Sequence, residues 1–270
     1  KGDYSVNKFS ALNLIAYGLS LYAEDNFMKS LLTIITLFFF QTLLGQTKTF
    51  SNVTFSNGDT SFWYKYQNIV IHDLSLTRLD TSSSDYYFRI WKANQVLDIW
   101  KTNYNTFYGQ LTSWATEQTP AKEKPTDRIL VVKKILHSDT IKQLIKLIEK
   151  SEILNLPTDD SIKGWKHGFD GITYIIEFAT KSNYNFKTYW TPKVQDSTLI
   201  EARYFQSFVD TIFRLSNSST IWKDFEKLIP YECYNVGGTI GCKVLTKKQK
   251  RQFEKERKKY RQQNVLSQQN

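Results

Sequence analysis

Methionine, cysteine and histidine are scarce in this chain, and their scarcity limits the chemistry that the sequence supports. Among 270 residues there are one methionine, two cysteines and three histidines. Cys233 and Cys242 have no histidine near them in the sequence, so they leave a zinc site half empty. The three histidines lie too far apart to match a metal-ligand spacing. The sequence therefore predicts no metal site and no cofactor.

Sequence motifs of the common hydrolytic and nucleotide-binding enzymes are also absent. No serine or cysteine lies in a nucleophile-elbow pattern, and neither type of glycine-rich phosphate loop occurs. There is no internal repeat either. Because catalytic signatures are missing, we expect a non-enzymatic protein that binds a partner.

The single methionine, Met28, begins a segment that is typical of a secretory signal peptide. Lys29 provides one positive charge, residues 31–44 form an apolar run, and Gly45 supplies a small residue near a cleavage point. We interpret residues 28–46 as the signal and residues 1–27 as an upstream extension outside the native protein. A buried core helix and an uncleaved membrane anchor are the alternatives. The mature protein is then expected in the periplasm or outside the cell.

The two cysteines flank a short apolar segment with a Gly-Gly turn, which is typical of a β-hairpin. The ends of such a hairpin lie close together, so Cys233 and Cys242 are expected to form a disulfide. This bond would stabilise the fold by roughly 2–3 kcal/mol. Export to an oxidising compartment agrees with it, whereas a pair of free thiols is the alternative.

Two stretches within residues 127–215 predict amphipathic helices, because apolar residues recur with helical spacing in 141–148 and in 202–212. A third, shorter helix is expected over 221–229, before Pro230. The expected caps are Ser138 or Asp139 for the first helix and a capping box of Thr198 with Glu201 for the second.

The strands are predicted in segments where apolar and polar residues alternate and where aromatic and β-branched side chains are frequent. The turns at 92–95 and 180–183 indicate two hairpins. The predicted strands are 86–91, 96–100, 106–116, 128–136, 172–178 and 184–190, with further short strands in 47–73 around the Asn57-Gly58 turn.

Since each predicted element has one apolar face, the pattern favours a two-layer α+β fold. We expect a single domain over residues 47–242, in which two or three helices pack on one face of an antiparallel sheet. Residues 243–270 would then form a separate basic, polar tail.

The tail carries most of the net charge of the protein. Residues 243–264 contain ten lysines and arginines against two glutamates, a net charge of +8, whereas the whole chain carries +10. Apolar residues are sparse there, so the tail is predicted to be helical or disordered. We expect an anionic envelope surface, rather than nucleic acid, as the partner of an exported protein with such a tail; a solvated tail without a partner is the alternative. The basic residues in question are Lys247, Lys248, Lys250, Arg251, Arg257, Lys258, Lys259 and Arg261.

One loop offers candidate catalytic residues. Within 164–171, three glycines flank Lys166, His167 and Asp170. A hydrolase-like enzyme is the alternative function, with His167 as general base and Asp170 orienting its ring. The glycines are explained equally well by a turn that enters a strand, with Trp165 packed over the sheet.

Aromatic residues provide candidate binding positions. Trp165, Tyr189 and Trp190 lie on or beside the loop and the predicted strands, where exposed rings can contact a protein or a glycan ligand. Aromatic residues on strands belong more often to the core, which is the competing interpretation.

The signal-like segment together with the strand-helix-hairpin-helix order of 127–215 resembles small exported bacterial proteins to which no function is assigned. The element order also resembles β-lactamase-inhibitor-protein-like domains, which are binding modules. This resemblance covers about a third of the chain and has no diagnostic motif. It implies a binding role and assigns no functional residue.

Overall fold

The strands form one mixed β-sheet in a computed structural model, which describes residues 48–267 except 55–58, 103 and 121–122. Their order across the sheet is β1-β7-β6-β2-β3-β4-β8-β9, and β5 also pairs with β4. The pairs are antiparallel except that β1 runs parallel to β7. The strands are β1 (Thr49–Ser51), β2 (Tyr87–Lys92), β3 (Gln95–Lys101), β4 (Phe107–Gln118), β5 (Ile129–Ile135), β6 (Thr173–Ala179), β7 (Asn183–Trp190), β8 (Cys233–Val236) and β9 (Thr239–Cys242).

Five α-helices accompany the sheet in the described part of the chain, which confirms the α+β class. None of them is long and apolar enough to cross a membrane. The predicted signal and upstream extension, residues 1–46, lie outside the described residues. The helices are α1 (Phe62–Asp73), α2 (Ser138–Ser151), α3 (Ile200–Leu215), α4 (Ser218–Leu228) and α5 (Lys247–Ser267).

Helices pack on both faces of the sheet, rather than on one face as predicted. Helices α2 and α3 bury their apolar faces against one side, where Phe88 and Leu97 lie in the core. On the other side, α1 packs over Trp91, Val96 and Ile175. The two clusters alternate along each strand, because successive side chains point to opposite faces.

Helix α1 corrects the prediction that residues 47–73 form only strands. The aromatic and β-branched residues of this segment favour a strand by propensity, but burial follows a helical period: Gln67 and Ile71 are buried on one face. Packing of that face onto the sheet decides the conformation, since tertiary contacts override propensity. A short strand, β1, does precede the helix.

The predicted helix caps are also corrected. Helix α2 is capped by His137, whose Nδ1 accepts a hydrogen bond from the Asp139 amide at 3.4 Å. Helix α3 has no side-chain cap at Leu199. The Thr198 hydroxyl instead donates to the Asp196 carboxylate at 2.7 Å, so no capping box forms.

The predicted hairpins and disulfide are confirmed. Strands β2 and β3 pair across the turn at residues 93 and 94, and β6 pairs with β7. Cys233 and Cys242 are bonded at the base of the β8–β9 hairpin, with their Cα atoms 4.1 Å apart.

The predicted tail includes helix α5, which is attached to the rest of the protein by ion pairs. Arg257 is only 1% exposed, and its guanidinium contacts Glu123 at 3.0 Å and Glu232 at 3.1 Å. Arg261 contacts Glu123 as well, at 3.1 Å. Lys250 also lies 3.9 Å from Glu232, so three of the eight basic residues predicted to meet an anionic surface are already paired within the protein.

A row of charged side chains crosses the three central strands on the α1 side. Arg89 of β2 lies directly opposite Asp98 of β3 and Glu177 of β6. All three are fully buried; Arg89 Nε donates to Asp98 Oδ1 at 2.6 Å, and its Nη1 lies 3.6 Å from Glu177 Oε1. Trp91 and Tyr184 also donate to the Glu177 carboxylate, at 2.7 and 2.8 Å. The row therefore ties four strands together.

Replacing Arg89 with methionine should strongly destabilise the protein. Two carboxylates would lose their buried counter-ion, and loss of one partner from a buried pair costs about 3–5 kcal/mol. Urea unfolding of Arg89→Met, compared with Arg203→Met at an exposed site on α3, measures the effect. A loss below roughly 0.5 kcal/mol for Arg89→Met would contradict the assigned role.

Candidate functional site

The long loop between α2 and β6 is fixed to the end of β7 by Asp159. This carboxylate is only 2% exposed and receives the Thr188 hydroxyl at 2.7 Å and the Trp190 amide at 2.6 Å. It also accepts the Asp160 amide at 3.1 Å. Because several donors surround it, the Asp159 carboxylate is held in one orientation and anchors the loop.

The next part of the loop is fixed by Trp165 and Gln195. The Trp165 indole donates to the Trp190 carbonyl at 2.9 Å. Gln195 Oε1 accepts a hydrogen bond from the Lys166 backbone N–H at 2.8 Å, and Gln195 Nε2 donates to the Lys166 carbonyl at 2.9 Å. Gly168 then passes so close to Trp190 that a Cβ there would lie 2.8 Å from the ring. These contacts place His167 beside Asp159.

His167 forms a cluster with Asp159 and Asp160. Its Nε2 lies 3.2 Å from Asp159 Oδ2 and 3.6 Å from Asp160 Oδ1. One ligand atom from each side chain lies within 4.8 Å of the other two. We call Asp159, Asp160 and His167 the acidic cluster. No metal site was predicted from the sequence, because its histidines and cysteines show no metal-ligand spacing.

Burial changes the acid–base properties of groups around this loop. Burial raises the pKa of Asp160, and the neighbouring Asp159 carboxylate raises it further. Burial also lowers the pKa of Lys187 to about 8, although its ammonium donates to the Leu154 and Leu156 carbonyls. The pKa of Tyr189 is raised well above its usual value by burial.

The acidic cluster faces a cleft of about 320 Å³, which we call the acidic cleft. Its opposite wall comes from the N-terminal end of α1. Among the described residues of its lining there is no lysine or arginine. The lining consists of Ser61, Phe62, Trp63, Asp159, Asp160, His167, Gly168, Phe169, Gly171, Thr173, Thr188 and Trp190.

A second cleft, of about 350 Å³, lies next to the first, since Phe62, Trp63, Gly171 and Thr173 line both. We call it the aromatic cleft, because five aromatic side chains contribute to it. None of the described residues in its lining is charged. The lining consists of Phe62, Trp63, Tyr66, Gln67, Val70, Trp91, Ala93, Asn94, Trp114, Thr116, Gly171, Ile172, Thr173, Asn235, Gly237 and Gly238.

The disulfide-bonded hairpin closes one side of the aromatic cleft, and Asn94 holds it there. The Asn94 amide donates to the carbonyls of Trp114 and Asn235, both at 2.9 Å, and its oxygen accepts the Gly237 amide at 2.5 Å. Gly237 has a φ of +55° and approaches Ala93 closely, which favours glycine at this turn. The β2–β3 turn thereby positions the β8–β9 turn.

Gln67 presents an unsatisfied polar group at the aromatic cleft. The side chain is only 7% exposed, and its Oε1 has no hydrogen-bond partner among the described residues. Buried acceptors without a partner are uncommon and cost free energy. A ligand that donates a hydrogen bond would satisfy this oxygen.

The predicted catalytic residues are only partly brought together. His167 lies in the acidic cleft, but its carboxylate partners are Asp159 and Asp160 instead of Asp170. Asp170 and Lys166 are exposed, and neither lines the acidic cleft. The pair of His167 with Asp170 that the hydrolase alternative requires is therefore not formed.

Of the three predicted binding residues, two lie in the core and one lines a cleft. Tyr189 is fully buried and stacks on Phe205 with ring centroids 3.8 Å apart, and Trp165 is buried beside it. Both belong to the core. Trp190 is half-buried and lines the acidic cleft. The cleft-lining residues of α1 were not predicted from the sequence, because the apolar residues of Phe62–Asp73 show only weak helical periodicity.

No protein-family model matches this sequence, and a search of curated proteins gives no significant match. The function must therefore be inferred from the two clefts.

Replacing Asp159 with alanine should destabilise the protein by roughly 2–4 kcal/mol, since it leaves the buried Trp190 amide and Thr188 hydroxyl without their acceptor. The exposed neighbour provides the control, because Asp160→Ala should change stability by no more than about 0.5 kcal/mol. Urea unfolding of both variants measures the difference. Similar small losses would show that Asp159 does not anchor the loop.

Proposed function

We propose that this protein is an exported, non-enzymatic binding protein that holds a neutral saccharide in the aromatic cleft. The observation that carries this proposal is a cleft with five aromatic side chains, one unpartnered amide oxygen and no charged group among its described lining residues. Concave sites with apolar walls and a few polar groups are typical ligand sites.

The aromatic walls favour a ligand with apolar faces. Phe62, Trp63 and Tyr66 come from α1, and Phe62 is 66% exposed. Trp91 and Trp114 come from the sheet and meet edge to face at 5.9 Å. Aromatic rings combine a large apolar surface with low conformational entropy, so they suit the C–H faces of sugar rings.

The polar groups favour hydroxyl groups on the ligand. Gln67 Oε1 accepts no hydrogen bond from the described residues and is covered from solvent, so a sugar hydroxyl that displaces part of this cover can donate to it. A charged ligand would be desolvated here without a partner of opposite sign, which is costly. The lining therefore supports an uncharged, hydroxylated ligand over a phosphate or an acidic peptide.

The Cys233–Cys242 disulfide supports export, because it contains both cysteines of the chain. Structural disulfides persist mainly in oxidising compartments. A periplasmic or extracellular binding protein would also meet saccharides of the envelope or the medium.

Saturable binding of a neutral oligosaccharide is the first expected result. Tryptophan fluorescence titrations with cellohexaose, maltohexaose and N-acetylated chitohexaose should identify at least one ligand, because two tryptophans contribute to the sheet wall of the cleft. Phe62→Ala and Gln67→Met should each weaken that binding about tenfold, the effect of one lost contact of ~1.4 kcal/mol.

Tyr104→Ala is the matched control, since Tyr104 is 90% exposed and does not line either cleft. It should bind as the unmodified protein does. Absence of saturable binding to every sugar, or unchanged binding by Phe62→Ala, would contradict the proposal. Shortened sugar products after incubation would instead favour the hydrolase alternative.

We also propose that α5 associates the protein with anionic envelope surfaces. Arg257 and Arg261 attach the helix to the protein, whereas its other cations remain exposed. Each exposed cation near an anionic membrane contributes about 1 kcal/mol. The exposed cations are Lys247, Lys248, Lys250, Arg251, Lys255, Lys258 and Lys259.

Binding to vesicles of phosphatidylglycerol mixed with phosphatidylcholine should therefore weaken steeply with added salt. Replacing Lys247, Lys248, Lys258 and Lys259 together by glutamine should reduce co-sedimentation, while Arg257 continues to attach the helix. Substitution of four exposed lysines elsewhere, at 142, 146, 163 and 193, is the control. Equal binding by both variants would contradict a specific role for α5.

A further inference from the structure

We propose that the acidic cluster binds a divalent transition-metal ion. Asp159 and Asp160 offer carboxylate oxygens and His167 offers Nε2, and the three ligand atoms converge within 4.8 Å at the edge of the acidic cleft. The inference goes beyond saccharide binding, because it concerns the neighbouring cleft and a different ligand.

The separations between these atoms suit a common metal ligand shell. Zinc lies ~2.1 Å from imidazole nitrogen and carboxylate oxygen, so its ligands are about 3.4 Å apart in a tetrahedron and about 3.0 Å apart in an octahedron. The distances from His167 Nε2 to the Asp159 and Asp160 oxygens are 3.2 and 3.6 Å. The Asp159 and Asp160 oxygens lie within 4.8 Å of each other, so a movement of the exposed Asp160 side chain would complete the ligand shell.

The charge of the cluster also calls for a cation. Two carboxylates lie side by side, and their only ion-pair partner in the described residues is His167. The chain contains 36 lysines and arginines, yet none of those that the structure describes lines the acidic cleft. A metal ion would supply the positive charge that the protein does not provide there.

Ser61 adds a further polar group to the wall of this cleft. It lines the cleft and is only 7% exposed, yet its hydroxyl does not cap α1 and makes no hydrogen bond among the described residues. Buried hydroxyl groups are normally paired. Water or another ligand bound to the ion can satisfy the Ser61 hydroxyl.

The ligand set favours zinc over calcium or magnesium. Imidazole is a preferred ligand of zinc and its neighbours, whereas calcium and magnesium prefer oxygen ligands alone. Asp159 is already oriented by Thr188 and Trp190, as the ligands of metal sites usually are. Three protein ligands leave at least one coordination position open towards the cleft.

Isothermal titration of the EDTA-treated full chain with ZnCl₂ tests the proposal. We expect one Zn²⁺ per chain, and a dissociation constant at least about tenfold higher for His167→Gln and for Asp160→Asn. Both residues are exposed, so their replacement should leave the fold intact. Circular dichroism of each variant confirms this before titration.

Two matched variants serve as controls. Asp170→Asn removes a carboxylate from the same loop, and His137→Gln removes a histidine that lies 3.7 Å from Asp139 on α2. Both should bind Zn²⁺ as the unmodified chain does. Failure to bind one equivalent, unchanged binding by His167→Gln, or an equal loss in either control would overturn the proposal. Cobalt(II) absorption that changes in Asp160→Asn would support direct coordination.

Discussion

The buried ion pair of Arg89 with Asp98, continued to Glu177, is the constraint on which the central sheet depends. Three ionisable side chains lie side by side on neighbouring strands, with the Arg89 guanidinium 5.5 Å from the ring centroids of Tyr87 and Trp91. Charges buried in this way are tolerated only with their partners in place. A slip of one residue in any strand would move a charge into the opposite, apolar core. The row therefore specifies the strand register.

The same row shapes the surface that we consider functional. Glu177 accepts the indole N–H of Trp91, which fixes a ring that lines the aromatic cleft. Trp91 in turn meets Trp114 of β4 at 5.9 Å. The wall of the cleft is thus an extension of the buried network, and its rings are held in place before any ligand arrives, which lowers the entropic cost of binding.

Both clefts are assembled from segments that are distant in sequence. Helix α1, the 156–171 loop and the β8–β9 turn meet beside the end of β6, where Gly171 and Thr173 line both clefts. One cleft is uncharged and aromatic, and the other contains two carboxylates and an imidazole. Because the two clefts adjoin, the proposed saccharide and the proposed metal ion would bind next to each other.

The sequence by itself determined the elements whose pattern is local. The periodicity of 141–148 and 202–212 predicted α2 and α3, alternation predicted the β2–β3 and β6–β7 hairpins, and the Gly-Gly turn predicted the Cys233–Cys242 bond. The hairpin turn already places Arg89 opposite Asp98. Only the tertiary structure decided the rest. Glu177 pairs with Arg89 across 88 residues of sequence. Helix α1 forms because the sheet buries one of its faces. His167 contacts Asp159 rather than Asp170 because β7 holds the Asp159 carboxylate in place. Such contacts depend on packing between distant segments, which no local periodicity records.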